Sequence, residues 1–297
     1  GACAAEYSSA RSITVNPVPN DPGSISGPAT VCANEPGVGY SISAVSGATS
    51  YSWSVPAGAS IAGGGGTNSI TVDFGSSAGD VCVTPENSCG SSATECLSVS
   101  VNDPSGSQTF SYTGSITTWT VPACVYEITI EAWGAEGGDE TYYGSYVGGL
   151  GARMEGTFSV TPGQQLKILV GERGENGPSG AGGGGSFVTD MSNNPLIVAG
   201  GGGGASTDDD GMDGTTSNNG TDDSRGVNSG GTGGGGGHVC TSSSGNDGGG
   251  GGGLTGNGES GGGGGGYAFT SGGGGGIGDP ADGGFGGGGG ASHNTVG

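Results

Sequence analysis

Cationic side chains are nearly missing from this sequence. It has five Lys and Arg residues against 27 Asp and Glu, Lys167 is its one lysine, and the formal net charge is −22. Such a charge repels phosphate backbones and argues against nucleic acid as a partner. It also disfavours adhesion to anionic lipid. Long apolar runs are missing too: no stretch approaches the roughly 20 apolar residues that span a bilayer. The opening "GACAAEYSSA" has neither the basic end nor the apolar stretch of a signal peptide. The chain does not begin with Met and reads as a window of something longer. Proline is sparse, at 13 residues, and Gly-X-Y spacing is absent, which excludes collagen.

What is present in excess is glycine. Of 78 glycines, 64 fall in the last 194 positions. That shift marks a composition boundary near Asp103-Pro104 and predicts an organisation of 1–20, 21–103 and 104–297. The first piece is the end of a repeat. "CAAEYSSARSITVN" (3–16) matches "CGSSATECLSVSVN" (89–102) at an offset of 86, placing Cys3 on Cys89 and Val15 on Val101. Residues 1–20 thus read as the last hairpin of a preceding copy, with further copies upstream as partners in the same chain. Across 21–103, "GYSISAV", "SYSWSV", "NSITVDF", "GDVCVTP" and "ECLSVSV" alternate in period two between Gly, Pro and Asn turns, which predicts a β-sandwich. The stretch "ISGPATVCANEPGVGYSISAVSGATSYSWSVPAGASI" resembles bacterial PKD-like, immunoglobulin-like repeats of large secreted Bacteroidota adhesins. The resemblance implies an immunoglobulin-like sandwich and a tandem stalk.

Seven cysteines need an account. Cys82 and Cys96 flank Cys89 symmetrically, so they face each other across a hairpin and suit a cross-strand bridge. Cys32 and Cys89 would tie the first strand to the final turn. Cys3, equivalent to Cys89, would pair with a cysteine upstream, leaving Cys124 and Cys240 as partners by elimination. The rival is zinc, but no CxxC occurs, and "HVC" (238–240) supplies two of the four ligands a structural site needs. Disulfides imply an oxidising, extracellular setting.

In the C-terminal segment, "YEITIEAWGA", "ARMEGTFSV", "QLKILVGERG", "GSFVTD" and "PLIVAG" read as strands of a jelly-roll-like sandwich. Seven runs of four or more glycines interrupt it, at 182–185, 200–204, 233–237, 248–253, 261–266, 272–276 and 286–290. Flexible linker is the default reading of such runs. The alternative is a bundle of extended polyproline II-type helices, whose outward N–H and C=O groups satisfy one another where no Cβ intervenes. Ordering costs about 1–2 kcal/mol per residue and more for glycine, so a dense hydrogen-bond lattice is the compensation available. The fold expected is therefore all-β, an immunoglobulin-like module followed by a jelly-roll-like sandwich with an inserted polyglycine II helix bundle. "ITIEAWGAEGG", "LKILVGERGENG", "PLIVAGGGGGA" and "GGFGGGGGAS" resemble the glycine-rich extracellular domain of the anaplastic lymphoma kinase and leukocyte tyrosine kinase receptors. That resemblance implies a tumour-necrosis-factor-like sandwich with polyglycine helices. No kinase motif accompanies it, and a closing strand is missing at "HNTVG".

Little of the sequence points to catalysis. GxGxxG matches arise throughout the glycine runs without the strand-to-helix context of a dinucleotide site. The single lysine sits inside a predicted strand, which excludes a P-loop, and no nucleophile-elbow sequence is present. One metal candidate stands out. "STDDDGMDG" (206–214) places Asp208, Asp210 and Asp213 within six residues, but Ser206 replaces the first Asp of a calcium loop and Ser217 its closing Glu. Tyr142, Tyr143 and Tyr146 offer an aromatic tip. The function expected is a non-catalytic extracellular surface adhesin fragment, bound to the cell surface and directed at a surface glycan or protein ligand. Resemblance points further to gliding adhesins exported by type IX secretion. The alternative is a self-associating sheath, filament or matrix subunit.

Overall fold

The computed structural model describes residues 17–142, 144, 146–207, 209–216, 231, 252–260, 264–278, 281–284 and 286–291. The chain divides into two units, Gly1–Ser105 and Gly106–Gly297, and residues 1–16, the predicted hairpin of a preceding repeat, lie outside the described residues.

The first unit is a sandwich of two sheets. One runs β1 (Thr30–Cys32), β8 (Glu95–Asn102), β6 (Gly79–Asn87), β3 (Ser50–Ser54), with β7 (Gly90–Ser91) paired to β6. The other runs β2 (Val38–Ser41), β5 (Ser69–Asp73), β4 (Ser60–Gly63). Period two explains both. In β5, Ile70 and Val72 face inward while Ser69 and Thr71 face solvent, and in β6 Val81 and Val83 are fully buried. These side chains form one core with Tyr40, Phe74 and Val99. Tyr40 can be buried because its hydroxyl donates to the Pro28 carbonyl at 2.9 Å. Burial, then the Glu35 carboxylate, raises its pKa. Glycine is required at the turn before β5, where Gly64 has φ +78° and a Cβ would strike the Ser69 carbonyl.

In the second unit, β9 (Thr117–Thr120), β12 (Gln165–Leu169), β13 (Ser186–Asp190) and β14 (Pro195–Ala199) form an antiparallel sheet in the order β14-β13-β12-β9. A separate antiparallel pair, β10 (Glu127–Trp133) and β11 (Arg153–Ser159), packs over one face of it. Leu166, Ile168, Val188 and Ile197 meet Ala132, Ile128, Ile130, Met154 and Phe158 between the layers. The opposite face is covered by a 3-10 turn, Phe269–Ser271, whose Phe269 stacks on Phe187 at 5.4 Å beside Leu169. Buried on both faces, β13 has lost the polar alternation of a surface strand.

The all-β expectation stands, but its glycine-rich half needs correction. Among the described residues the 3-10 turn is the one helical element, so the described glycine segments do not form an inserted polyglycine II helix bundle. Nor is a jelly roll formed: the described strands of this unit number six, in sheets of four and two. The runs include sharp turns, with φ from +71° to +104° at Gly272, Gly273, Gly286 and Gly287, and glycine's freedom is spent on reversals there.

The linker alternative fits no better, because the described glycine segments are tied to one another. Segment 200–204 is the hub. Gly202 donates to Ala135 O at 2.9 Å and accepts from Gly183, Gly203 donates to Met212 O and accepts from Gly149, and Gly200 accepts from Ala152. Further out, Gly182 donates to Gly289 O, Gly284 to Gly182 O and Gly276 to Gly288 O. A Cβ on Gly202 would collide with the Gly149 carbonyl, and one on Gly201 with the Gly183 carbonyl, whereas one on Gly200 would meet nothing nearer than 3.7 Å. We therefore expect Gly202→Ala to destabilise this unit by about 3 kcal/mol, the upper range for overpacking, and Gly200→Ala to cost far less. Thermal melts of the two variants check this, and equal melting temperatures would contradict it.

Candidate functional site

Four features carry the chemically interesting side chains. The first is the cysteine set. Cys82 and Cys96 lie directly opposite in the β6–β8 ladder and are bonded at 2.12 Å. Their neighbours Val81, Val83 and Val99 point into the core, so the bridge lies on the outer face of the sheet. Cys89, in the β6–β7 turn, is an exposed free thiol, which corrects the expected Cys32–Cys89 bridge. The physical reason is the turn: Cys89 N–H donates to Asn87 Oδ1 at 2.8 Å, closing a tight loop that leaves the thiol in solvent. Cys32 and Cys124 are each disulfide-bonded. Cys3 and Cys240 lie outside the described residues, and with them the expectations of an unpaired Cys3 and a Cys124–Cys240 bridge.

The acidic segment is the second feature. Asp208 lies outside the described residues. The Asp210 carboxylate accepts from Val147 N–H at 2.9 Å, and that of Asp213 accepts from Leu150 N–H at 2.7 Å. These side chains act as hooks on a neighbouring segment. Among the described residues no group of three His, Cys, Asp or Glu is arranged to hold a metal ion. Both histidines, His238 and His293, lie outside them.

Third is a polar knot around Arg173 with an open cleft beside it. The guanidinium donates to Asp139 Oδ2 at 2.8 Å and Asn176 Oδ1 at 2.6 Å, and lies 3.6 Å from Glu136. Asp139 also accepts from Gly148 N–H at 3.0 Å. That backbone bond, then Arg173, holds its carboxyl below the usual carboxylate range. The cleft, about 300 Å³, is lined by Tyr112, Glu172, Arg173, Glu175, Ile277 and Asp282. The Tyr112 hydroxyl donates to Glu172, and that bond, then burial, raises its pKa. Glu175 is engaged by Asp282 N–H at 3.0 Å and Asp282 by Gly278 N–H at 2.7 Å. Of the tyrosine tip, Tyr142 is exposed, Tyr146 half-buried, and Tyr143 outside the described residues. The loop closes on itself through Glu140, buried, which accepts from Gly144 N–H.

The outer face of β10–β11 is the fourth, and the sequence reading passed over it. Its register pairs Trp133 with Arg153, Glu131 with Glu155, Thr129 with Thr157 and Glu127 with Ser159, all directed away from the core. Trp133 remains 54% exposed, with the Arg153 guanidinium 5.8 Å from its ring centroid. Arg153 also pairs with Glu131 and, at 3.2 Å, with Glu155. The signal was available: in "EITIEAW" every second residue is Glu, Thr, Glu, Trp.

Residues 18–99 match the PKD-like domain family. The first unit therefore contains a PKD-like module over residues 18–99, and its described elements are all strands. No curated protein matches the chain. No helix among the described residues is long and apolar enough to cross a membrane.

Two outcomes are expected in solution. A maleimide should label Cys89 in the native, unreduced protein, with peptide mapping placing the label on that residue; an unlabelled native Cys89 would contradict the exposed thiol. Because the Asp139 pKa is lower folded than unfolded, its contribution to stability is full above the ordinary carboxylate pKa of about 3.9. It is lost as pH falls through the lowered folded value. The melting temperature of Asp139→Asn should thus lie below that of the parent at pH 7 and converge with it as pH approaches 2.

Proposed function

We propose that this chain is a fragment of an extracellular modular surface adhesin, with the PKD-like module as part of a stalk of tandem copies and the glycine-rich unit, 104–297, as its binding head. The observation that carries the reading is the PKD-like module at 18–99. Three others support it. The Cys82–Cys96 bridge suits an oxidising compartment. The match of 3–16 to 89–102 gives the sequence basis for an upstream copy. A net charge of −22 keeps a secreted, glycine-rich chain soluble. The finer assignment, a gliding-type adhesin exported by type IX secretion, rests on sequence resemblance to the Bacteroidota repeats.

Two measurements test the proposal together. Antibodies against the chain should label intact cells of the source organism, and surface protease should abolish that label. Beads coated with the purified protein should adhere to a panel of immobilised glycans and extracellular proteins more than beads coated with the first unit alone. An intracellular signal, or beads that adhere no better than the first unit alone to every surface, would overturn it.

A further inference from the structure

We propose that the outer face of β10–β11 is a saccharide-binding strip that takes oligosaccharides bearing free amino groups. The inference rests on the adhesin reading and names a ligand class for its head. Four cross-strand pairs set out an outward face whose residues from Glu127 to Trp133 span about 20 Å at roughly 3.4 Å per residue. That length accommodates several pyranose rings end to end. Its inward neighbours Ile128, Ile130 and Ala132 are held by the four-stranded sheet, so the outward row is presented on a rigid support.

The composition of the row suits a sugar. Trp133 supplies a broad ring at one end, and its negative π-face attracts the positively polarised C–H groups of a pyranose and any nearby cation. Arg153, Glu131 and Glu155 supply charged donors and acceptors beside the ring, and Thr129 and Thr157, 3.1 Å apart through their hydroxyls, continue the polar row. Side chains of Arg153 and Glu155 are 58% and 54% exposed, so ligand hydroxyls reach them without rearrangement. No apolar side chain other than Trp133 lies on the outward row, so the rest of the row is made of hydroxyl and charged groups that suit a hydroxyl-rich occupant.

Charge decides the class. Glu127, Glu131 and Glu155 face a single guanidinium, leaving two negative charges uncompensated on a chain already at −22. Uronic-acid and sulfated glycans are repelled by such a face. Glucosamine units present ammonium groups that the carboxylates and the Trp133 ring both attract.

The test uses the full chain and a glucosamine hexasaccharide, with cellohexaose and a galacturonate hexamer as neutral and anionic controls. Calorimetry should show the glucosamine hexamer binding at least fivefold tighter than cellohexaose, no binding of the galacturonate hexamer, and weakening as salt rises from 50 to 500 mM. Trp133→Ala should weaken binding at least tenfold, and Glu155→Gln about threefold with a shallower salt dependence. Thermal melts establish that both variants fold. In the ¹H–¹⁵N spectrum of the parent, the indole signal lost in Trp133→Ala should be the one the hexamer shifts. Absence of binding at millimolar hexamer, equal binding by cellohexaose, or undiminished binding by a folded Trp133→Ala variant would each overturn the proposal. Beads of Trp133→Ala protein separate the two readings: undiminished adherence sinks this strip and leaves the adhesin standing, while parent beads that adhere to nothing sink the adhesin.

Discussion

An N–H of one segment meeting the carbonyl of another, with no Cβ between them, is the interaction on which the glycine-rich unit depends. A single bond of this kind contributes about 1 kcal/mol net, and ordering one glycine costs more than that. Repetition of such bonds cannot by itself hold the segments. What makes the arrangement cooperative is the penalty for a partial version: a buried N–H left unpaired loses its water and gains nothing. Gly202 shows the coupling, since it bonds to Ala135 and Gly183 at once and removing any one segment orphans groups on the others.

The strands supply the apolar burial that the glycines lack. β14 runs directly into segment 200–204, and segment 182–185 runs directly into β13, so each of these runs is anchored at one end by a strand of the four-stranded sheet. Small apolar side chains complete the interior, with Ala181, Ala281 and Ala291 clustered among the glycine segments. The PKD-like module meets the same cost by ordinary means. Its inward rows of Val, Ile and aromatic residues build a core, and its disulfide sits outside that core, joining two strands already paired.

Period-two alternation made the strands legible, because it registers burial on one side of a sheet and both units have such sheets. The glycine segments were legible only as a choice. Composition shows where glycine is in excess, but which of these positions excludes a Cβ is set by the segment that lies alongside, and a run of identical residues holds no record of its neighbours. Cys89 illustrates the same limit. Its place in the sequence suited a bridge, and the local bond to Asn87 Oδ1 that shapes the turn has no periodic signature. The β10–β11 face is a different case: its outward residues were in view in the strand pattern, and attention to the buried half of that pattern hid them.

Some of the acidic side chains answer to the same backbone constraint. Where an N–H at the margin of the glycine lattice finds no carbonyl, a side chain must accept from it, and an ionised carboxylate is acceptor-only while an ammonium has nothing to offer. Asp139 serves Gly148 in this way, Asp210 serves Val147, Asp213 serves Leu150 and Asp282 serves Gly278. Part of the net charge is thus structural, a row of acceptors distributed along the edges of a scaffold made of donors and carbonyls. Arg173 draws Asp139 and Glu136 of one segment to Asn176 of its own. In a scaffold built largely from residues without side chains, strands can present a row of functional groups at fixed spacing. Among the described residues of this unit, the outer face of β10–β11 does so with an aromatic ring, Trp133, among the polar groups.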